Sequence, residues 1–185
     1  MSLKELTQKH HDRAEGSEFA QMLISGDIDP VLYHDYLVAQ FLCYSVLERY
    51  VQLPDHLQDV FRAEHISADI KELEDQYKIK RPDDTCKSAV DYMNHIESIS
   101  DDNNKLLAHL YVRHFGDMYG GQMIKKKVPG SGKMYEFSNR AEMIKSLRQL
   151  LNDDMVDEAR ICFDYSAMIF DELVERWRNP KLDLF

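Results

Sequence analysis

Residues 109–124, HLYVRHFGDMYGGQMI, place three glycines, a carboxylate and a guanidinium in a stretch that otherwise reads as one continuous helix. Gly116 and Gly120 stand four apart and share a helical face, with Gly121 beside them and Arg113 and Asp117 flanking. Each glycine costs up to about 1 kcal/mol against alanine inside a helix. Their clustering therefore implies that something flat or bulky lies against bare backbone here, or that the helix bends. A carboxylate at the same spot adds proton chemistry.

The first helix holds a second reactive group. His11 shares a helical face with Lys4, Gln8 and Glu15, while His10 points about 100° away. A neutral imidazole is a good iron or zinc ligand, and a lysine one or two turns off suits an anionic group on the same ligand. An amphipathic surface helix with two ordinary histidines has the same spacing, so both readings stand at this point. Other metal sites have little support. No glutamate has a histidine three residues later, as a di-iron bundle requires, and HExxH is missing. Asp91 and His95 are four apart and read as a surface pair. Nor does the chain contain a P-loop, a GxGxxG run or a GxSxG elbow, so nucleotide chemistry and serine hydrolysis lack a signature.

The elements that must position these groups read as helices throughout. Ser2 and Glu5 fit a capping box opening a helix over 3–14, which stops before Gly16. Further helices are predicted over 18–25, from Pro30 to Val51 (apolar nearly all round, hence central), 54–76, 86–98, 101–126, 138–152 and 155–177. The loop VPGSGK breaks the chain after the glycine-bearing helix. Few Gly and Pro beside many Leu, Glu, Lys, Tyr and Met favour this all-α reading, and 185 residues without repeat or linker fit one compact helical domain over 1–185.

Three scattered cysteines, Cys43, Cys86 and Cys162, form no CxxC pair and fit a reducing cytosol. The start has no apolar stretch for a signal peptide, and the C-terminal NPKLDLF holds no anchor, so a soluble, cytoplasmic protein without membrane attachment is expected. A net charge of -10 argues against nucleic-acid binding. The exception is 125–148, where Lys125, Lys126, Lys127, Lys133, Arg140, Lys145 and Arg148 outnumber Glu136 and Glu142. This is either a solvated face or a docking surface for an acidic partner or anionic ligand.

HHDRAEGSEF near the N-terminus, RHFGDMYGGQ and the later FDYSAMIFDEL, in that order, closely resemble the heme oxygenase family, specifically its soluble, biliverdin-producing bacterial and cyanobacterial members. The likeness runs from about Leu3 to Leu173. It implies heme, as substrate and cofactor, sandwiched between a proximal N-terminal helix and a kinked, glycine-rich distal helix. Matched position by position, His11 is the axial ligand of heme iron and Glu15 the acidic residue that orients its imidazole. Gly116, Gly120 and Gly121 supply backbone over the macrocycle. Asp117 holds a distal water network together with Tyr44, Tyr111 and Arg113; Phe163 lines a wall, and Lys4 and Arg148 meet the propionates.

Some positions depart from the family pattern. Gln8 stands where many members carry a second lysine, Ile144 replaces a basic residue one turn before Arg148, Ser166 replaces a frequent asparagine, and the 151–156 stretch is short. The first two imply weaker or rearranged propionate anchoring, and Ser166 a thinner distal network. The implied reaction opens heme to biliverdin, carbon monoxide and free iron, using O2 and electrons from an external donor. With no flavin or nicotinamide motif present, the electrons are expected from outside, and if the basic segment is a docking surface rather than a solvated face, the resemblance implies a ferredoxin or a similar acidic donor there. The alternatives are a heme-binding or storage protein of the same fold, and a thiaminase-like or interaction protein that binds no heme; Asp117 favours the enzyme, because passive binding does not need a relay carboxylate. The bridge carbon opened, the physiological reductant, the oligomeric state and the use of the product are left open by these motifs.

Overall fold

In the computed structural model, which describes residues 2–180, the start signals read from the sequence operate as hydrogen bonds. The Ser2 N–H donates to Glu5 Oε2 (2.6 Å) and the Glu5 N–H to Ser2 Oγ (3.4 Å), closing the capping box of α1 (Leu3–Glu15). Ser17 caps α2 (Glu18–Ser25), which ends at Gly26 with φ +82°. Asp29 caps α3 (Pro30–Tyr50), with Pro30 in its first turn. Leu32, Leu37, Ala39, Cys43 and Leu47 have no exposed surface, so α3 is the buried centre, packed on α4, α5 and α9.

The expected helix over 54–76 is two elements: a 3-10 turn, Asp55–Val60, and α4 (Ala63–Tyr77). The break has a tertiary cause. Glu48, in the last turn of α3, accepts the Arg62 and Ala63 N–H groups at 2.5 and 3.0 Å and so becomes the N-terminal cap of α4. The buried Arg62 guanidinium then takes the carbonyls of Val60 and Phe61.

α5 (Lys87–Ser98) lies where expected. The glycine-bearing helix divides into α6 (Asn103–Tyr119) and the one-turn α7 (Gly121–Ile124), interrupted at Gly120, whose own backbone stays helical at φ -73° and ψ -34°. Arg140 donates to the Met118 carbonyl at 2.8 Å just before that interruption. α8 (Arg140–Arg148) is shorter than predicted at both ends, and α9 (Val156–Arg178) follows a 3-10 turn at Asp153–Met155. α9 packs against α1, α6, α5 and α2, making it the second spine beside α3. No strand occurs among the described residues. None of their helices is long and apolar enough to cross a membrane, and the last five residues of the NPKLDLF tail lie outside the description.

Candidate functional site

α9 connects the two reactive segments. On one side Phe163 presents its ring to His11, centroids 5.7 Å apart and nearly perpendicular; on the other, the neighbouring Cys162 Sγ lies 4.0 Å from the His109 carbonyl of α6. His10 does point elsewhere, its Nδ1 lying 2.9 Å from Asp164. The His11 side chain is half exposed, and its Nδ1 faces Asp12 Oδ1 at 3.5 Å and Glu15 Oε2 at 3.8 Å. Both are too long for a strong hydrogen bond, yet both place negative charge on the same ring nitrogen. Nε2 is thereby the nitrogen available to a ligand.

The three glycines differ. A side chain added at Gly116 would meet nothing within 4 Å, so this part of the helix offers bare backbone to open space. At Gly120 a Cβ would sit 3.3 Å from the Gly116 carbonyl. Gly121 is buried, and its missing Cβ is already replaced: Tyr135 Cδ1 would lie only 2.4 Å from one. Tyr135 is held there because Asp69 accepts the Lys133 and Met134 N–H groups at 2.8 and 2.9 Å, fixing the loop after VPGSGK against α4. Gly121 therefore has a packing reason of its own.

Asp117 follows Gly116 and points inward, 8% exposed. The Tyr44 hydroxyl donates to its Oδ2 at 2.5 Å. Burial raises the Asp117 carboxyl to about 7, against the pull of the Tyr44 hydrogen bond and the Arg113 and Arg62 charges. The same burial pushes Tyr44 up, so the proton between them sits on the phenol while Asp117 exchanges its own near neutrality. Arg113 is buried too, with Nη1 donating to Gln40 Oε1 at 2.8 Å and its guanidinium lying 4.1 Å over the Tyr92 ring. Its Nε and Nη2 are buried without a hydrogen-bond partner among the described residues, which makes them donors suited to ordered water.

Tyr111 is half-buried against Phe115 at 5.3 Å, and Phe115 lies 6.2 Å from Tyr119, so three rings one turn apart form a wall beside the glycine face. Thr7 of α1, whose hydroxyl donates to the Leu3 carbonyl at 2.9 Å, lies near the Tyr111 hydroxyl one turn before His11. At the far end of the wall Arg148, from α8, donates to the Tyr119 hydroxyl. Lys4 is exposed on α1.

The departures have visible consequences. Gln8 is tied along its own helix to Asp12 at 2.6 Å, and Ile144 packs against the core, so neither offers a cation. Ser166 donates back to the Cys162 carbonyl of its own helix at 2.9 Å rather than into the distal pocket. Asp91 and His95 are not a pair: Asp91 meets Lys87, and His95 reaches Glu158 at 2.8 Å.

Several participants carried no sequence signal. His114 lies 4.9 Å from the Tyr44 ring and contacts Glu48 Oε1 at 3.0 Å, which links the distal pair to the cap of α4. Gln40 reads as one polar residue in an apolar helix, four before Tyr44. Glu158 takes both His95 and His109, and these contacts hold its carboxyl down to about 2. A spacing search finds none of these because the partners lie on different helices.

A model of the heme oxygenase family matches residues 1–172. The chain belongs to the heme oxygenase family. It is 30% identical over 207 residues to heme oxygenase 2 of Macaca fascicularis, covering 92% of this chain and 64% of that protein. It is 29% identical to the heme oxygenase of Guillardia theta, covering 94% and 85%. The chain thus spans less than two thirds of the length of the macaque relative. Among solved structures, heme oxygenase from Leptospira interrogans superposes with a TM-score of 0.79 at 25% identity, covering 93% of this chain and all of that one. A cyanobacterial heme oxygenase-1 from Synechocystis, in complex with heme, gives 0.78 at 21% identity over 98% and 96%, which shows the shared fold. This heme oxygenase family member carries Gly116, Gly120 and Asp117 on the segment formed by α6 and α7, and His11 on α1.

Proposed function

We propose that this chain takes heme as its substrate and opens it oxidatively to biliverdin, carbon monoxide and iron, using O2 and electrons from an external acidic donor of the ferredoxin type. The observation that carries the reading is the adjacency of Gly116, bare toward open space, to Asp117, a buried carboxyl poised near neutral pH against Tyr44. The residues fit the group. His11 offers Nε2 while Glu15 and Asp12 face Nδ1. Bound heme supplies the redox-active iron at which O2 is reduced and the bridge carbon that is oxidised.

The protein's part is positioning and proton transfer. Gly116, with Gly120 a turn later, lets backbone approach the substrate closely, where any side chain would hold it away. Asp117 holds and releases a proton at its carboxyl, and the Tyr44 hydroxyl fixes that carboxyl's orientation. The spare Arg113 donors hold water at the same place, so a proton reaches the reacting face without an acidic side chain touching it. Phe163 and the Tyr111–Phe115–Tyr119 rings are the apolar walls, while Arg148 and Lys4 supply charge for the two propionates.

The basic segment is mostly engaged with the protein itself. Lys125 pairs with Glu136 at 2.6 Å, Lys127 donates to the Ile24 carbonyl, Lys133 faces Glu72, and Arg140 holds the Met118 carbonyl. Lys126 and Lys145 remain exposed, and we assign donor docking to these two together with the Arg148 edge. Three buried, unpaired cysteines support the cytoplasm as its compartment. The test is direct. Hemin titration gives a Soret band, and ferredoxin with its reductase in air converts it to biliverdin absorbance. A stable ferric spectrum under those conditions means storage, and no Soret band removes heme from the account.

A further inference from the structure

We propose that Tyr119 is a positioning residue that sets where Arg148 stands, and hence which way the substrate's two carboxylates point. The inference rests on heme being the substrate, and goes beyond that reading by naming what controls its orientation. Tyr119 lies between Asp117 and Gly120 on the distal helix, half exposed. Its hydroxyl accepts a hydrogen bond from Arg148 Nη2, and its ring lies 5.9 Å from the same guanidinium. Both contacts act on one side chain from a helix, α8, that touches α6 only lightly.

An arginine at the exposed end of a short helix loses much of its rotamer freedom when fixed. A phenol that already holds one N–H and one face of the fork reduces that cost and leaves the remaining N–H groups free for a carboxylate. The aromatic wall continues the constraint: Tyr119 leans on Phe115, Phe115 on Tyr111, and Tyr111 lies near Thr7 of the helix that carries His11. Arg148 is thus referenced through three rings to the proximal helix. Few other cations share the task. Ile144, one turn before Arg148, packs against the core, and Gln8, one turn from Lys4, is tied to Asp12. Where two cations hold two propionates, displacing one frees a whole edge of the substrate.

Tyr119→Phe tests this, since it keeps the ring and removes only the acceptor at an exposed position. Hemin affinity by Soret titration, heme-methyl proton spectra of the ferric cyanide complex and the ratio of biliverdin isomers are read for Tyr119→Phe, Arg148→Ala and the double variant. Expected are about a three- to tenfold loss of affinity in Tyr119→Phe, a second set of heme-methyl signals and a mixed isomer product. The double variant should match Arg148→Ala, because Tyr119 acts through Arg148. A normal wild-type Soret band with unchanged spectra and isomer ratio in Tyr119→Phe overturns the role of Tyr119 alone; so does simple additivity in the double variant. A wild type that gives no Soret band overturns the heme reading and this role with it.

Discussion

Replacing Asp117 with asparagine separates the burial of this carboxyl from its chemistry. The side chain keeps its shape and still accepts from the Tyr44 hydroxyl, but it no longer titrates. In the wild type, burial lifts Asp117 to about 7, from roughly 4 in an unfolded chain. Between those values the native state holds a proton that the unfolded state has released, so this group's contribution to stability falls as pH rises from about 4 to 7. Three units at about 1.36 kcal/mol each give roughly 4 kcal/mol, an upper figure because water entry relaxes the cost. Other groups slope differently: Glu158, held at about 2, adds stability that is lost only as pH falls through about 4 to 2. The difference between the two proteins isolates Asp117. Urea denaturation at pH 5, 6, 7 and 8 should show Asp117→Asn gaining on the wild type with rising pH and levelling off above about 7. Its hemin complex should form normally, while biliverdin yield under ferredoxin-driven turnover collapses. Parallel stability profiles would refute the electrostatic account of Asp117, and undiminished biliverdin would refute its role in proton delivery.

The glycines predict opposite phenotypes. Gly116→Leu places its side chain in open space, so the apo protein should unfold at or above the wild-type temperature while the Soret band is lost; Gly121→Ala strikes the Tyr135 ring and should cost about 1–3 kcal/mol, read by denaturation. His11→Ala removes a half-exposed ring, leaving stability within about 0.5 kcal/mol but abolishing or altering the axial ligation seen by visible and electron paramagnetic spectra. Lys126→Glu with Lys145→Glu should slow donor-driven turnover and weaken its salt dependence with hemin affinity unchanged. Lys127→Glu is a poorer probe of docking, since Lys127 also holds the Ile24 carbonyl at the end of α2 and should lower stability as well.

The sequence by itself determined the helices whose signals are local. Ser2 with Glu5, Asp29 with Pro30, and Gly26 all act within a few residues along the chain, so α1, α2 and the start of α3 follow from spacing. The RHFGDMYGG run likewise marked the helix interruption and the carboxylate, because glycines inside a helix have to be explained wherever they occur. Tertiary structure decided what lies across the gaps. The break before α4 is made by Glu48 reaching over from α3, and no local rule contains that residue. Gly116 and Gly121 look alike in sequence, yet one faces open space and the other Tyr135, because a loop fourteen residues on folds back. Asp117 is an ordinary aspartate until Tyr44, Arg113 and the walls of three helices take it out of water; desolvation belongs to the packed assembly, and spacing along one helix does not specify it.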